Sequence, residues 1–323
     1  MWDFSIGRSI GLVGKTLPFV VFRMIVYFGI AVAYVLVTGT GAGVGWGIGA
    51  FGDMDFQMTS TFWGGAIGFA LTAGVLYFLR EYILYIVKAG HIAVLTELVD
   101  GKPIPDGRGQ IEYASTVVKE RFAEASVLFA IDQLVRGVIG AIMGIVQGIA
   151  SILPIPGLQN IIGVVKAFLR IAVGLIDEVI LAYSIRTRST NPWASAQTAL
   201  VLYGQNYKTM LKNAAWLTVF TYGLAFLVFL VMLAPAAAVA YLIPGGWSAG
   251  GFVFALIFAW AVKAAVIEPF AIAAMLQVYF KTIEGQEPDP EWTSRIDGAS
   301  KKFRKLGEKA ATWGSSQPAA QPS

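Results

Sequence analysis

The sequence predicts an all-α integral membrane protein, a polytopic helical bundle of about six transmembrane helices with both termini in the cytoplasm. Two observations predict this fold class. The 323 residues are 56% hydrophobic and only 14% charged, with a mean hydropathy of +0.66, whereas soluble domains contain about 25% charged residues. Several apolar runs also reach the roughly 20 residues that a helix needs to cross about 30 Å of hydrocarbon.

Six apolar runs are the predicted spans: residues 17–38, 62–79, 126–153, 158–185, 214–243 and 252–280. The Gly-rich stretch 39–60, which carries Asp53 and Asp55, is predicted to be an external loop. A short turn at 154–157 joins the third and fourth spans. The pair Glu268-Pro269 interrupts the sixth span, because proline removes a backbone donor and kinks a helix.

The basic residues predict the orientation. Loops 39–61, 154–157 and 244–251 contain no Lys or Arg, whereas each alternate segment contains several. Basic loop residues are retained in the cytoplasm, so both termini are expected there, in an inner or plasma membrane. The predicted divisions are a cytoplasmic amphipathic N-terminus (1–16), a transmembrane domain (17–280) with cytoplasmic segments 80–125 and 186–213, and a basic cytoplasmic tail (281–323) that is disordered at its end.

Two surface segments leave alternatives open. Residues 82–99 either extend the second helix or lie on the membrane surface. In the tail, one apolar stripe is flanked by five basic residues; the stripe is Trp292, Ile296, Ala299, Phe303 and Leu306, and the bases are Lys301, Lys302, Arg304, Lys305 and Lys309. This pattern predicts a surface helix held by anionic lipids. The alternative is a helix packed against the protein's own chain.

The composition argues against an enzyme. There is no Cys, and His91 is the single His, so neither thiolate nor His-cluster metal sites can form. The stretch Gly246-Trp247-Ser248-Ala249-Gly250 matches a nucleophile-elbow pattern, but a Ser nucleophile needs a base within hydrogen-bond reach. His91 is predicted on the opposite side of the membrane. No catalytic residue, metal, cofactor or nucleic-acid partner is therefore expected.

Charged residues inside the predicted spans are the candidate functional residues, because each costs about 2.5–3.5 kcal/mol at the bilayer centre on insertion scales. Asp132, Arg136, Asp177 and Glu178 lie at similar depth in spans three and four, which predicts an ion-pair cluster. A static network that fixes helix register is one interpretation of this cluster. A polar pathway is the other.

A second set of intramembrane charges is predicted nearer the midplane: Lys166, Arg170, Lys263 and Glu268. These residues are the candidates for a substrate pathway. Glu268 is the foremost of them, because Pro269 breaks the helix beside it and transporters place their sites at broken helices. In span three, Gly140, Gly144 and Gly148 predict close helix packing within the hairpin, or self-association into a homo-oligomer.

The segment Leu202-Tyr203-Gly204-Gln205-Asn206-Tyr207, followed by Lys212-Asn213-Ala214, resembles the signature of the choline transporter-like family. The end of the last span, Tyr279–Glu284, is similar as well. The likeness covers roughly residues 115–310 and implies an α-helical transporter for a quaternary amine or a related solute. Gln205 departs from the basic residue usual there, and the family has around ten spans.

A choline site requires aromatic faces around the cation, and Trp216, Tyr222, Tyr241 and Trp260 are available; anchoring at the membrane interface is the alternative use of these residues. The buried charges, the broken sixth helix and the family resemblance make a transporter or permease for a small solute the leading hypothesis, with a choline-like cation as its candidate. The alternative is a non-transporting membrane scaffold or a subunit of a membrane complex. The lipid bilayer is the expected surrounding in both cases.

Overall fold

The computed structural model describes residues 1–79, 84–104, 109–122, 125–151, 176–243 and 250–316. Within these ranges all regular secondary structure is helical, which confirms the predicted all-α class. In chain order the helices are α1 Ile6–Lys15, α2 Leu17–Gly49, α3 Met54–Leu79, α4 Tyr85–Val99, α5 Gln110–Phe122, α6 Ala125–Ser151, α7 Ile176–Arg186, α8 Pro192–Gln205, α9 Tyr207–Leu242, α10 Gly250–Val262, a π-helical turn Lys263–Ile267, α11 Glu268–Thr282, α12 Pro290–Ala299 and α13 Lys301–Ser316.

The chain forms two compact units. Unit 1 contains residues 1–16, 86–219 and 270–323, and unit 2 contains residues 17–85 and 220–269. Four helical segments are long and apolar enough to cross a membrane in the part of the chain that the structure describes: Leu17–Gly49, Met54–Tyr77, Tyr207–Leu242 and Gly250–Thr282. The chain is therefore an integral membrane protein by the length and composition of its helices.

Unit 2 has an apolar exterior. Among the residues that the structure describes, most of the exposed large apolar side chains belong to its helices, among them Ile25, Leu36, Leu71, Leu227 and Val231. Contiguous exposed apolar surface of this kind is rare on soluble proteins and is typical of a surface that contacts lipid. Unit 2 therefore carries the lipid-facing surface.

The predicted Gly-rich loop at 39–60 is wrong, because α2 continues through it to Gly49 and α3 begins at Met54. A Cβ atom on Gly45 would lie 2.0 Å from the carbonyl oxygen of Ser60, and one on Gly41 would lie 2.2 Å from that of Gly64. These glycines recur every four residues and let the α2 and α3 backbones touch. The Gly-rich composition of residues 39–60 predicted a loop, yet Gly41, Gly45 and Gly49 lie in this contact between the two helices.

Unit 1 has a conventional buried core. The middle of α11, Ala271–Leu276, is fully buried, and α4 is buried along most of its length. The segment 82–99 therefore contributes to the interior of unit 1 from Ile86 onward, which argues against a position on the membrane surface for this part. A buried hydrogen bond of this core joins Tyr113 Oη, the donor, to Glu97 Oε1 over 2.8 Å.

The amphipathic tail belongs to the same core. Its stripe residues Ile296, Phe303 and Leu306 are fully buried in unit 1. A Cβ atom on Gly204 would lie 3.1 Å from the Trp292 ring, which shows how closely α12 packs on α8. The structure thus supports packing against the protein's own chain for the apolar face. Lys301, Lys302 and Lys305 remain exposed, so contact with anionic lipids would depend on charge alone.

The third predicted span is α6, and it lies in unit 1. Its larger apolar side chains Val138, Ile139 and Ile142 are buried, whereas Gly140 and Gly144 are exposed, with no atom of a described residue within 4 Å of a built Cβ. Most of the fourth predicted span, 158–175, and the turn at 154–157 lie outside the described residues, as do 246–249. The count of six spans therefore stays a prediction.

Candidate functional site

The sixth predicted span is broken by a π-helical turn where the sequence predicted a proline kink. The amide of Glu268 donates to the carbonyl of Lys263, five residues back, instead of to the carbonyl of Ala264. Pro269 has no amide hydrogen to donate in its place. The carbonyl oxygen of Ala264 is thus left without a backbone donor inside the helix, and π turns of this kind are frequent at functional sites.

Arg23 of α2 supplies the missing donor. Its Nε donates to the Ala264 carbonyl oxygen over 3.0 Å, and its Nη2 donates to the same oxygen. The Nη2 atom also lies 3.2 Å from Glu268 Oε2. The Arg23 side chain is 0% exposed, and a guanidinium stays charged in any protein environment. One buried cation therefore satisfies both the broken backbone and the carboxylate.

Lys263 completes an ion triad on the other side of the carboxylate. Its Nζ lies 2.9 Å from Glu268 Oε1 and 5.2 Å from the ring centroid of Tyr222. The Lys263 side chain is 19% exposed and that of Glu268 25% exposed. Arg23 is locked in place, whereas Lys263 reaches the carboxylate from a partly open side. The ammonium lies in contact with both an aromatic face and a carboxylate, which is a favourable environment for a cation.

The structure brings together two of the four predicted pathway residues, Lys263 and Glu268. The other two, Lys166 and Arg170, lie outside the described residues. Glu268 was expected near the middle of a span, and it is the nineteenth of the 33 residues of the candidate span Gly250–Thr282. Its depth in a membrane stays a prediction.

Arg23 was missed by the sequence analysis. The available signal was a single charge inside the first apolar run. Its partner Glu268 is 245 positions away, so no helical spacing connects the two residues. An intramembrane charge is by default a functional candidate with a partner to be found, and that rule would have selected Arg23.

The predicted cluster of spans three and four lies in unit 1. Arg136 Nε lies 2.9 Å from Asp132 Oδ2, and its Nη2 lies 3.4 Å from Asp177 Oδ2. Glu178 instead forms an ion pair with Lys88, which the sequence analysis did not include. The Arg136 side chain is 49% exposed, so this cluster is partly open to its surroundings.

The four aromatic candidates for a cation site have different surroundings. Trp216 packs edge-on against Trp2 in unit 1, with ring centroids 5.5 Å apart. Tyr241 is almost fully exposed, and Trp260 lines a cavity of about 360 Å³ in unit 2 whose other lining residues are apolar or aromatic. Tyr222 alone contacts the triad, so a cation site at Glu268 would rest on that ring.

The residues of the signature make structural contacts in unit 1. Gln205 Nε2 donates to Gln286 Oε1 over 2.9 Å, and the Asp289 amide donates to Gln205 Oε1 over 2.9 Å. Asn206 Nδ2 donates to the same Gln286 oxygen over 2.7 Å. Burial raises the pKa of the Tyr203 hydroxyl, which is fully enclosed. These contacts tie the corner between α8 and α9 to the segment after α11.

Comparison with protein-family models, with curated proteins and with solved structures yields no match for this chain. The likeness to choline transporter-like proteins therefore stands on its short motifs alone. A function has to be argued from the chemistry of the site, and the triad of Arg23, Lys263 and Glu268 is the site that unit 2 offers.

Proposed function

We propose that this protein is a membrane permease for a small cationic solute, with Glu268 as the solute-binding carboxylate. The observation that carries the proposal is the position of the Lys263 ammonium, 2.9 Å from Glu268 Oε1 and over the Tyr222 ring. A carboxylate beside an aromatic face suits a quaternary amine equally well. The resemblance to choline transporter-like proteins implies the same class of solute.

In the proposed mechanism Lys263 occupies the binding place when no solute is present. A solute cation that reaches Glu268 takes over the contact with Oε1 and the Tyr222 ring, and the ammonium of Lys263 moves aside on its flexible stem. Arg23 stays fixed by its two bonds to the Ala264 carbonyl and keeps the π turn intact. The exchange keeps the carboxylate paired throughout, and the displaced ammonium of Lys263, which is 19% exposed, moves toward the open side of the site.

The direct test is uptake of radiolabelled choline into proteoliposomes. We expect the wild type to accumulate the label and Glu268→Gln to lose this activity, because an amide cannot balance a cation. Glu308→Gln is the matched control, since Glu308 is an exposed carboxylate of α13. Uptake by Glu268→Gln at the wild-type rate would contradict the proposal, as would the absence of uptake by a well-folded wild type.

The proposed topology has six spans with both termini in the cytoplasm. The four candidate spans support the orientation independently of the third and fourth predicted spans, because removing a pair of spans leaves every other segment on its side. The chain has no Cys, so single cysteines can report each side. We expect Met54→Cys and Ile155→Cys to react with an impermeant maleimide from outside, and Thr312→Cys to be protected. Protection of Ile155→Cys would reduce the count to four spans.

One observation favours the alternative of a non-transporting scaffold. Each charge of the triad has a partner, and the 360 Å³ cavity of unit 2 is lined by apolar and aromatic side chains without reaching Glu268 or Lys263. A static triad would serve to hold α2 against the π turn. Purification in mild detergent tests this alternative, since a scaffold would retain a protein partner in fixed stoichiometry and would bind no choline.

A further inference from the structure

The cavity of unit 2 lies between α2, α3 and α10 and has a volume of about 360 Å³. Tyr34 of α2, Phe69, Ala73 and Tyr77 of α3, and Leu256 and Trp260 of α10 are among the residues that line it. This volume falls in the lower part of the range of about 300–1,000 Å³ that is typical of small-molecule sites. The cavity is thus large enough to hold a ligand.

The cavity walls are rigid aromatic pairs. The Tyr34 and Phe69 rings have centroids 4.9 Å apart, and Trp260 packs edge-on against Tyr27 with centroids 5.2 Å apart. Ala73 is a lining residue with only a methyl side chain. The volume is partly open at the surface of unit 2, so a ligand can enter it from the surroundings.

The rim of the cavity belongs to the lipid-facing surface of unit 2. The Tyr77 side of the rim is strongly exposed, with 67% of that residue accessible, and Leu256 and Val253 are exposed as well. These residues lie on helices that are long and apolar enough to cross a bilayer. An opening on such a surface faces hydrocarbon, and the ligand that reaches it arrives from the bilayer.

We propose that this cavity binds one hydrocarbon chain of a membrane amphiphile. The lining offers apolar and aromatic contact along the helices, and Ile30 packs in the same cluster as Leu84. The candidate span Met54–Tyr77 ends at Tyr77. The hydrocarbon chain therefore lies along α3 with its polar head at the Tyr77 end. This site is separate from the triad and does not depend on transport.

A hydrocarbon chain bound in this cavity differs from ordinary surrounding lipid, because its binding reaches saturation once every cavity is occupied. The test uses the full-length protein in detergent micelles, a phosphatidylcholine probe with a photoreactive diazirine on one acyl chain, and unlabelled phosphatidylcholine as competitor. After irradiation, mass spectrometry of peptides locates the label. We expect about one probe per protein at saturation, on peptides that contain Phe69–Tyr77 or Leu256–Trp260, and loss of this label on addition of the competitor.

The decisive variant is Ala73→Phe, which fills the cavity with a ring. We expect it to lose the saturable label and to melt at the same temperature as the wild type or higher, because filling a cavity restores packing contacts. Ala70→Phe is the matched control, since Ala70 is exposed on α3 and is not a lining residue. Its labelling should equal that of the wild type.

Two results would overturn the proposal. One is a wild-type label that rises in proportion to the probe without saturating, which is the behaviour of non-specific surrounding lipid. The other is a folded Ala73→Phe protein that labels like the wild type. Should Ala73→Phe fail to fold, Ala73→Val gives a smaller filling, and the saturable label must then fall to an intermediate level for the proposal to stand.

Discussion

Unit 2 and unit 1 bury their charges in different ways. In unit 2 one triad is gathered at a broken helix, and its Arg23 is 0% exposed. In unit 1 the ion pairs are scattered along several helices, and Arg136 in its cluster is 49% exposed. The surface differs as well, because most exposed large apolar side chains belong to unit 2.

The apolar surface of unit 2 indicates that hydrocarbon surrounds it. In hydrocarbon an unpaired charge or carbonyl has no water with which to form a hydrogen bond, so each polar atom needs a protein partner. The π turn of unit 2 frees one carbonyl, and a buried guanidinium satisfies it. In unit 1 the Arg136 side chain is 49% exposed, and a partly exposed ion pair contributes less to stability than a buried one. The comparison predicts that equivalent substitutions lower the free energy of unfolding far more in unit 2 than in unit 1.

The largest effect is expected from Gly45→Leu, at the contact between α2 and α3. Its Cβ would lie 2.0 Å from the Ser60 carbonyl oxygen, so the two helices must separate. Overpacking of this kind costs about 3 kcal/mol or more. Thermal unfolding in detergent, followed by tryptophan fluorescence, should show a large fall in Tm or no folded protein.

The control for this substitution is Gly47→Leu, on the same helix. In the part of the chain that the structure describes, no atom lies within 4 Å of a Cβ built on Gly47, so the Tm of this variant should stay close to that of the wild type. In unit 1, Gly144→Leu should also be tolerated, since Gly144 has the same open surroundings among the described residues. A fall in Tm that is equal for Gly45→Leu and Gly47→Leu would contradict the close contact of α2 with α3.

The next effect is expected from Arg23→Met. It leaves the Ala264 carbonyl without a donor and the Glu268 carboxylate with Lys263 as its remaining partner in the triad. Breaking a buried ion pair by removing one partner costs about 3–5 kcal/mol. The matched substitution in unit 1, Arg136→Met, should cost less than Arg23→Met, because the Arg136 side chain is 49% exposed whereas that of Arg23 is 0% exposed. A larger loss of Tm for Arg136→Met than for Arg23→Met would reverse the comparison.

A smaller effect is expected when Pro269→Ala is combined with Arg23→Met. Alanine restores an amide that can donate to the Ala264 carbonyl, so the backbone no longer depends on Arg23. The double substitution should therefore be more stable than the sum of the single effects, by about 1 kcal/mol in a double-mutant cycle. Strict additivity would show that Arg23 and Pro269 do not share this carbonyl.

The smallest effect concerns Asp3 at the N-terminus of unit 1. Its hydrogen bonds with Lys212 and Asn213 lower the pKa of the Asp3 carboxyl from its ordinary value of 3.8. Stability from this group is present above the unfolded pKa and is lost as the pH falls through the lowered folded pKa. The Asp3 side chain is 42% exposed, so the gain is small.

The measurement for Asp3 is Tm against pH. Wild type should exceed Asp3→Asn by a degree or two at pH 7, on the order expected for a surface pair. That difference should shrink as the pH falls below the ordinary value of 3.8 and vanish once Asp3 is protonated in the folded protein, because its folded pKa is lowered. A difference that grows toward acid pH would contradict the assigned role of Lys212.

Local patterns in the sequence were sufficient to predict the helical fold class and the apolar runs. Leu17–Gly49 and Met54–Leu79 nonetheless extend well into the predicted loop 39–60, because composition alone does not separate a Gly-rich loop from glycines that face a neighbouring helix. The four-residue spacing of Gly41, Gly45 and Gly49 is the pattern that indicates a contact between two helices. Local sequence patterns did not predict the π turn before Pro269 either, because the donor to the Ala264 carbonyl is Arg23 on another helix.

The candidate site was predicted in part. Glu268 and Lys263 were selected because charges in an apolar helix must pair or face a cavity. Arg23 was not, since tertiary contact alone joins two helices that are far apart in the chain. The tail stripe at Phe303 and Leu306 shows the same limit: helical periodicity identifies an apolar face and leaves open whether lipid or protein covers it.

The most direct test of the central claim is equilibrium binding of radiolabelled choline to purified Lys263→Gln, compared with the wild type and with Lys305→Gln. If the ammonium of Lys263 occupies the place of the solute at Glu268, its removal frees that place, and the variant should bind choline about tenfold more tightly, which is about 1.4 kcal/mol. Lys305, an exposed base of α13, should leave the affinity unchanged. Affinity for choline in folded Lys263→Gln that equals or falls below that of the wild type would contradict the assignment of Glu268 as the solute-binding carboxylate.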